Sequence, residues 1–156
     1  MEREMRRKDR KVGEAETLEI LKNGEYGILS TVGEDGIPYG VPISYAWVDG
    51  KIFFHCAKGK GHKLENLMHS SQVCFTVVGA TEVLPAEFGT KYESVIVFGT
   101  AQRLEGEEKQ KGLEGLIDKY SSQHREAGME YIAKSGIATD VFVIRPDRIS
   151  GKARRK

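Results

Sequence analysis

The residues best suited to chemistry are concentrated in the stretch 55–66, HCAKGKGHKLEN. Its two glycines would let backbone N–H groups approach an anion closely. Its lysines would supply positive charge, its second histidine could donate a directed hydrogen bond, and a helix starting here would add unpaired N–H groups. The pattern therefore predicts a binding turn for a phosphate monoester. The residues of this turn are Lys58, Gly59, Lys60, Gly61, His62 and Lys63.

The same stretch allows other interpretations. A lysine-rich turn before a helix is often only a solvated connection. The nucleotide-binding loop that ends in Gly-Lys-Ser/Thr is absent, and the dinucleotide pattern GxGxxG fails at Leu64. His55, Cys56 and His62 lack the paired spacing and the fourth ligand of a zinc site, so we predict no metal. Cys56 lies in an apolar run without an activating group, which leaves the catalytic residues unassigned.

Short apolar runs between glycine-rich turns predict antiparallel strands around this stretch. The predicted strands are Tyr26–Val32, Tyr39–Val48, Lys51–Cys56, Val73–Val78, Ser94–Leu104 and Asp140–Ile149. Apolar residues at helical spacing predict helices over Glu14–Asn23, Lys60–Ser70, Glu107–Gln123 and Glu126–Lys134. The first three strands should form a meander, because their turns are too short for a parallel crossover. We expect a loop over Glu82–Thr90, a bend at Gly99 and an interruption at Pro146.

This order of elements indicates a mainly β fold, an antiparallel barrel with flanking helices, because closure removes exposed strand edges. Residues 1–13 are expected to be a flexible charged arm, and residues 14–156 a single domain. The strands at 26–32 and 94–99 are apolar on both faces. Since a lone open sheet would expose one of those faces, we expect a homodimer.

Composition excludes several function classes. The formal net charge of +1 gives no electrostatic basis for binding nucleic acid. The sequence contains no run of about 18 apolar residues, the length that a membrane-spanning helix needs. The two cysteines, Cys56 and Cys74, lie in strand-like runs and are interpreted as small buried hydrophobes rather than a disulfide, which suits the cytoplasm. The basic clusters at both termini are interpreted as solvated tails, with contact to a phosphate or an acidic partner as the alternative.

Beyond these patterns, the stretch GEYGILSTVGEDGIPYGVPISYAWVDGKIFFHCAKGKGHKLENL resembles the FMN-binding split-barrel family related to pyridoxamine 5′-phosphate oxidase. It is most similar to the branch of nitroimidazole-resistance proteins. The later segments VCFTVVG, KYESVIVFGTAQ and ISGKA resemble the same branch. The resemblance extends from about Glu14 to Ala153.

The resemblance implies a homodimer that holds FMN at the subunit interface. The ring and ribityl neighbours that it implies are Leu29, Ser30, Thr31, Pro42, Ile43 and Ser44. The phosphate neighbours that it implies are His55, Cys56, Ala57, His62, Lys63 and Asn66, beside the Gly61 of the turn. It also implies Tyr92 and Ser94 from the second subunit, and Lys152 near the flavin or the mouth of the site.

The resemblance implies a flavin-dependent oxidoreductase of small molecules, with nitroaromatic reduction as the family-level expectation. Residues 145–153, RPDRISGKA, depart from the Arg-Leu-x-Pro-like end of pyridoxamine-phosphate oxidases, so oxidation of vitamin B6 is not expected. Two alternatives stay open. One is a module that binds a flavin, haem or deazaflavin without turnover, and the other is a structural protein with an empty barrel.

Overall fold

The computed structural model describes residues 3–156, so the first two residues of the predicted arm lie outside it. The strands within the described range are β1 Gly27–Val32, β2 Pro38–Ile43, β3 Ala46–Val48, β4 Lys51–Ala57, β5 Gln72–Leu84, β6 Gly89–Leu104 and β7 Thr139–Arg154. The helices are α1 Glu14–Asn23, α2 His62–His69, α3 Gly106–Tyr120 and α4 Arg125–Ser135. Short 3-10 turns lie at Lys8–Arg10, Pro85–Glu87, Ser122–His124 and Gly136–Ala138.

The strands form one antiparallel sheet in the order β2-β1-β5-β6-β7-β4-β3. β2 and β3 are its two edges, yet only Ser44 and Tyr45 separate them in the chain. A flat sheet of this size would hold its edges roughly 29 Å apart, at about 4.8 Å per strand. From Ile43 to Ala46 the chain can reach at most about 11 Å. The sheet therefore curls until its edges meet, which confirms the predicted antiparallel barrel.

The expected meander of the first three strands is wrong. The run predicted as one strand, Tyr39–Val48, is two strands: β2 pairs with β1, and β3 pairs with β4. Two features explain the break. Pro42 lacks the N–H that a central strand needs, which suits an edge. Tyr45 and Ala46 are both buried, so the inward–outward alternation that runs through β2 breaks between these two residues.

The expected loop over Glu82–Thr90 is mostly strand. β5 continues to Leu84 and β6 starts at Gly89, with pairing from Thr81 opposite Tyr92 to Leu84 opposite Gly89. Only the tip turns, at Pro85–Glu87 followed by Phe88, whose φ is +51°. Pro85 fits here because a turn requires no ladder N–H.

The last strand also exceeds its prediction, since β7 runs past Ile149 to Arg154. The bend predicted at Gly99 is confirmed, because the β6–β7 register shifts between Phe98 and Gly99. Gly99 lies opposite Pro146, so the interruption of the last strand is a local irregularity within a continuing strand.

The barrel interior is filled by inward-facing side chains, and α3 and α4 pack a second apolar cluster on the outside. The interior includes Leu29, Phe54, Phe75 and Ile144, each fully buried. Cys56 is buried and Cys74 half-buried, and both are free thiols. Within residues 3–156 we find no helix that is both long and apolar enough to cross a membrane.

The end of the N-terminal arm lies along β7. Lys11 forms a bridge with Lys152, and the Val12 N–H donates to the Gly151 carbonyl at 3.1 Å. Arg10 donates to the Tyr92 hydroxyl at 3.5 Å. These contacts tie the arm to the sheet at its inner end, and the flexibility of the arm as a whole stays a prediction.

The short crossover between β2 and β3 is held by α1 and α3. The Tyr45 hydroxyl donates to the Leu21 carbonyl of α1, and the Tyr45 N–H donates to the Tyr120 hydroxyl at 3.0 Å. The Lys119 amine donates to the Tyr45 carbonyl at 2.9 Å and lies 3.6 Å from the Tyr45 ring centroid. Burial raises the pKa of Tyr45 and lowers the pKa of Lys119 to about 8. All the polar groups of Tyr45 are thus satisfied in the core.

We expect Tyr45→Phe to lower the free energy of unfolding by about 1–3 kcal/mol, because it leaves a buried carbonyl of α1 without its donor. Urea unfolding followed by circular dichroism measures this change. Tyr131→Phe, at a residue that is 67% exposed, is the matched control and should change stability little. Equal stability of the two variants would show that the hydroxyl of Tyr45 does not hold the crossover.

Candidate functional site

The predicted strand–turn–helix arrangement is present at the end of β4. The turn opens at Gly59, whose φ of +130° favours glycine, and α2 begins at His62 rather than at Lys60. Nothing lies within 4 Å of the position a Cβ would take at Gly59 or Gly61. No side chain caps the first turn of α2. The backbone of this turn is therefore open to an approaching ligand.

The base of the turn is anchored to the segment that precedes β7. The Lys58 N–H donates to the Ala138 carbonyl at 3.0 Å. Ala57, the last residue of β4, pairs with Thr139, the first residue of β7. The turn thus projects from a fixed strand end, which is the arrangement needed to present its backbone groups in one direction.

Lys63 brings positive charge to the end of β4. Burial lowers the pKa of His55, and the charge of Lys63 lowers it further. Burial raises the pKa of the Cys56 thiol, while the charge of Lys63 acts to lower it and that of Asp140 to raise it. The side chain of Cys56 points into the barrel and that of His55 points out, as strand alternation requires. The raised pKa keeps Cys56 a thiol, which agrees with its interpretation as a buried hydrophobe.

Two residues predicted near the cofactor bind each other instead of facing solvent. Asn66 and Thr31 are each 4% exposed, and the Asn66 amide donates to the Thr31 hydroxyl at 3.1 Å. A Cβ at Gly33 would collide with the Asn66 oxygen, so the glycine makes room for this amide. The pair fixes α2 against β1. Direct contact of either residue with a cofactor stays a prediction.

Tyr39 was not predicted from the sequence as part of the site. Its ring stacks on the His62 imidazole with centroids 3.9 Å apart and an interplanar angle of 25°. Tyr39 lies in β2, directly opposite Thr31 of β1. The sequence alternation of Tyr39, Val41 and Ile43 with less buried residues would have predicted that its side chain faces inward. The contact with α2 could not be predicted, because it depends on where the helix packs.

The predicted ring neighbours divide between the two faces of the sheet. Leu29 is fully buried and Ile43 packs against the core, so each could meet a ligand only through its backbone. Ser30 alternates to the outer face, and Pro42 and Ser44 are exposed. Ser30, Pro42 and Ser44 therefore lie on the outside of the barrel, at or beside its β2 edge.

The residues expected from a second subunit lie on the outer face of β6 and β7. Ser94 pairs with Lys152, whose amine lies 5.6 Å from the Tyr92 ring centroid. Burial alone would raise the pKa of Tyr92, but hydrogen bonds with Arg10 and Lys152 lower it. A cavity of about 460 Å³ opens on this face. Its lining residues are Arg3, Met5, Ser94, Ile96, Phe98, Arg148, Ser150 and Lys152.

The structure thus gathers the predicted residues into two groups. The first joins α2, its preceding turn and the ends of β1 and β4. The second is the outer face around Ser94 and Lys152. No hydrogen bond or ion pair among the described residues links the turn 58–63 to Tyr92, Ser94 or Lys152.

Several solved structures share this fold. A flavocytochrome from Azotobacter vinelandii is 21% identical, with a TM-score of 0.81 over 98% of this chain and 73% of its own. The FAD and heme binding protein of Mycobacterium smegmatis is 20% identical, with a TM-score of 0.76 over 94% of this chain and 74% of its own. A candidate 5-nitroimidazole antibiotic resistance protein of Bacteroides thetaiotaomicron is 18% identical, with a TM-score of 0.74 over 92% of this chain and 86% of its own.

Comparison with curated proteins gave no match. A family model described as pyridoxamine 5′-phosphate oxidase matches residues 13–153. This range agrees with the extent of the resemblance found in the sequence and includes both groups of site residues. The chain belongs to the pyridoxamine 5′-phosphate oxidase family.

Proposed function

We propose that the protein binds flavin mononucleotide and acts as an oxidoreductase of small molecules. The observation that carries this proposal is the open turn before α2, where exposed backbone groups and the charge of Lys63 meet beside His55. A single turn of this kind suits the one phosphate of FMN. Burial and then the charge of Lys63 lower the pKa of His55, and an anion bound beside them would offset the repulsion between the two side chains.

The donor set fits a phosphate monoester. The backbone of Gly59 and Gly61 is accessible, and the first turn of α2 offers N–H groups without a side-chain cap. His62 and Lys63 would add charge-assisted hydrogen bonds. On the outer face, Ser30 and Ser44 would offer hydroxyl groups to the polar edge of the ring. Leu29 and Ile43 would shape the site through their backbone.

A bound flavin would supply electron transfer to and from small molecules at its ring. The chain's own residues would bind and orient it: the turn holds the phosphate, and the sheet face limits the approach of substrate. We infer that the partners are a small-molecule substrate and a second copy of this chain. The free thiols of Cys56 and Cys74 are consistent with a location in the reducing cytoplasm.

A second candidate function is ligand binding without turnover. It is favoured by the same fold in a protein described as binding FAD and heme. The two candidates differ in what happens after reduction. The flavin of an oxidoreductase should be reduced by NADH or NADPH and reoxidised by a nitroaromatic compound under anaerobic conditions. If neither donor reduces it and its dithionite-reduced form does not transfer electrons, the binding module is the better description.

The spectrum of the purified protein tests the proposal most directly. We expect the two visible absorbance bands of oxidised flavin, with tighter binding of FMN than of riboflavin in fluorescence titrations. FAD in the same titration distinguishes the two nucleotide forms. A colourless protein that binds none of the three would contradict flavin binding.

We expect Lys63→Ala to weaken FMN binding about 10- to 100-fold, the usual scale of about 1.5–3 kcal/mol for a hydrogen bond with a charged group. The riboflavin affinity should be unchanged, since riboflavin lacks the phosphate. Lys134→Ala, at an exposed lysine on α4, is the matched control. Equal FMN affinity of all three proteins would show that Lys63 only faces solvent.

The outer sheet face is the surface on which we place the second copy. Ile96 and Phe98 are 38% and 49% exposed there, beside Ser94 and Lys152. We expect Ile96→Glu to convert a dimer to a monomer in light scattering and to weaken FMN binding. Ile137→Glu, at a residue that is 82% exposed elsewhere, should leave the dimer intact. A wild-type monomer at micromolar concentration would refute the dimer.

A further inference from the structure

We propose that Tyr39 is a positioning residue that holds the His62 imidazole in place to donate to the flavin phosphate. This inference rests on the proposed function and names a residue outside the predicted set. The observation that carries it is the ring stack between β2 and the first residue of α2. The centroid separation of 3.9 Å is close to van der Waals contact.

His62 needs such a support because it is exposed. An exposed side chain at the start of a helix exchanges between rotamers, and fixing it on ligand binding costs conformational free energy. A stacked aromatic ring restricts the imidazole to one rotamer before the ligand binds, so this cost does not weaken binding. Since stacking uses the face of the imidazole, both ring nitrogens stay at its edge and can meet an anion.

Tyr39 is itself well placed to be rigid. It is half-buried and lies directly opposite Thr31, the residue that accepts the hydrogen bond from Asn66. His62 and Asn66 are four residues apart and therefore lie on the same face of α2. Two neighbours on β1 and β2 thus contact two neighbours on α2, one pair through a hydrogen bond and the other through a stack.

The two contacts have different structural roles. The Asn66–Thr31 bond is buried and attaches the helix to the barrel. The Tyr39–His62 stack lies at the surface, one helical turn nearer to the open glycines. Its loss would leave the helix attached but release the imidazole. It should therefore affect binding of a phosphate at the turn more than it affects the fold.

The test compares Tyr39→Leu with Tyr39→Phe, which keeps the ring and removes only the hydroxyl. Tyr39→Leu should weaken FMN binding about three- to tenfold, on the scale of one aromatic pair, and leave riboflavin binding unchanged. Tyr39→Phe should bind FMN as the wild type does. In a His62→Ala background, Tyr39→Leu should have no further effect on FMN affinity.

A flavin-free readout follows the stack itself. In NMR spectra of the apoprotein, the ring C–H signals of His62 should be shifted upfield by the Tyr39 ring, retained in Tyr39→Phe and lost in Tyr39→Leu. Urea unfolding of each variant shows that the fold is retained. If wild type binds FMN and Tyr39→Leu binds it equally well, the positioning role is overturned and flavin binding stands. If wild type binds no flavin, the proposed function itself fails.

Discussion

The whole architecture depends on one covalent constraint, the two-residue crossover that joins opposite edges of a seven-stranded sheet. Because Ser44 and Tyr45 cannot span a flat sheet, β2 and β3 must approach each other and the barrel must close. The constraint would be costly if the crossover residues lost their hydrogen bonds in the core. Tyr45 avoids that cost, since its hydroxyl, N–H and carbonyl all find partners on α1 and α3.

The candidate site is a consequence of the same closure. Antiparallel pairing places Tyr39 of β2 opposite Thr31 of β1, and curling brings this pair to the end of the barrel where α2 packs. Tyr39 and Thr31 can therefore contact the helix together. The turn before α2 leaves β4, which lies on the far side of the sheet order next to β3. Residues that are distant along the sheet thus meet around one helix N-terminus, and a flat version of this sheet would separate them.

Local patterns in the sequence were enough to predict the helices, most of the strands and the open glycine-containing turn before α2. Glycine and lysine types carry that information directly, as at Gly59 and Lys63. Pairing partners were harder to predict, because the sequence of Tyr39–Val48 does not show that the alternation breaks between Tyr45 and Ala46 and that the two halves pair with different strands. The long β5–β6 hairpin was missed for a related reason: Pro85 marked a turn, but the pairing on both sides of it depends on partners in three dimensions. The same limit hid Tyr39, whose role follows only from the position of α2.

The bridge between Lys11 and Lys152 has a consequence for folding and solubility. β7 pairs with β6 along most of its length but with β4 only from Thr139 to Ile144, so its second half has a free edge. The residues just before α1 cover part of that edge. They are separated from their partner by most of the described chain, so their docking closes a very long loop. Until these residues dock, the second half of β7 can accept a strand from another molecule, which exposes this step of folding to aggregation.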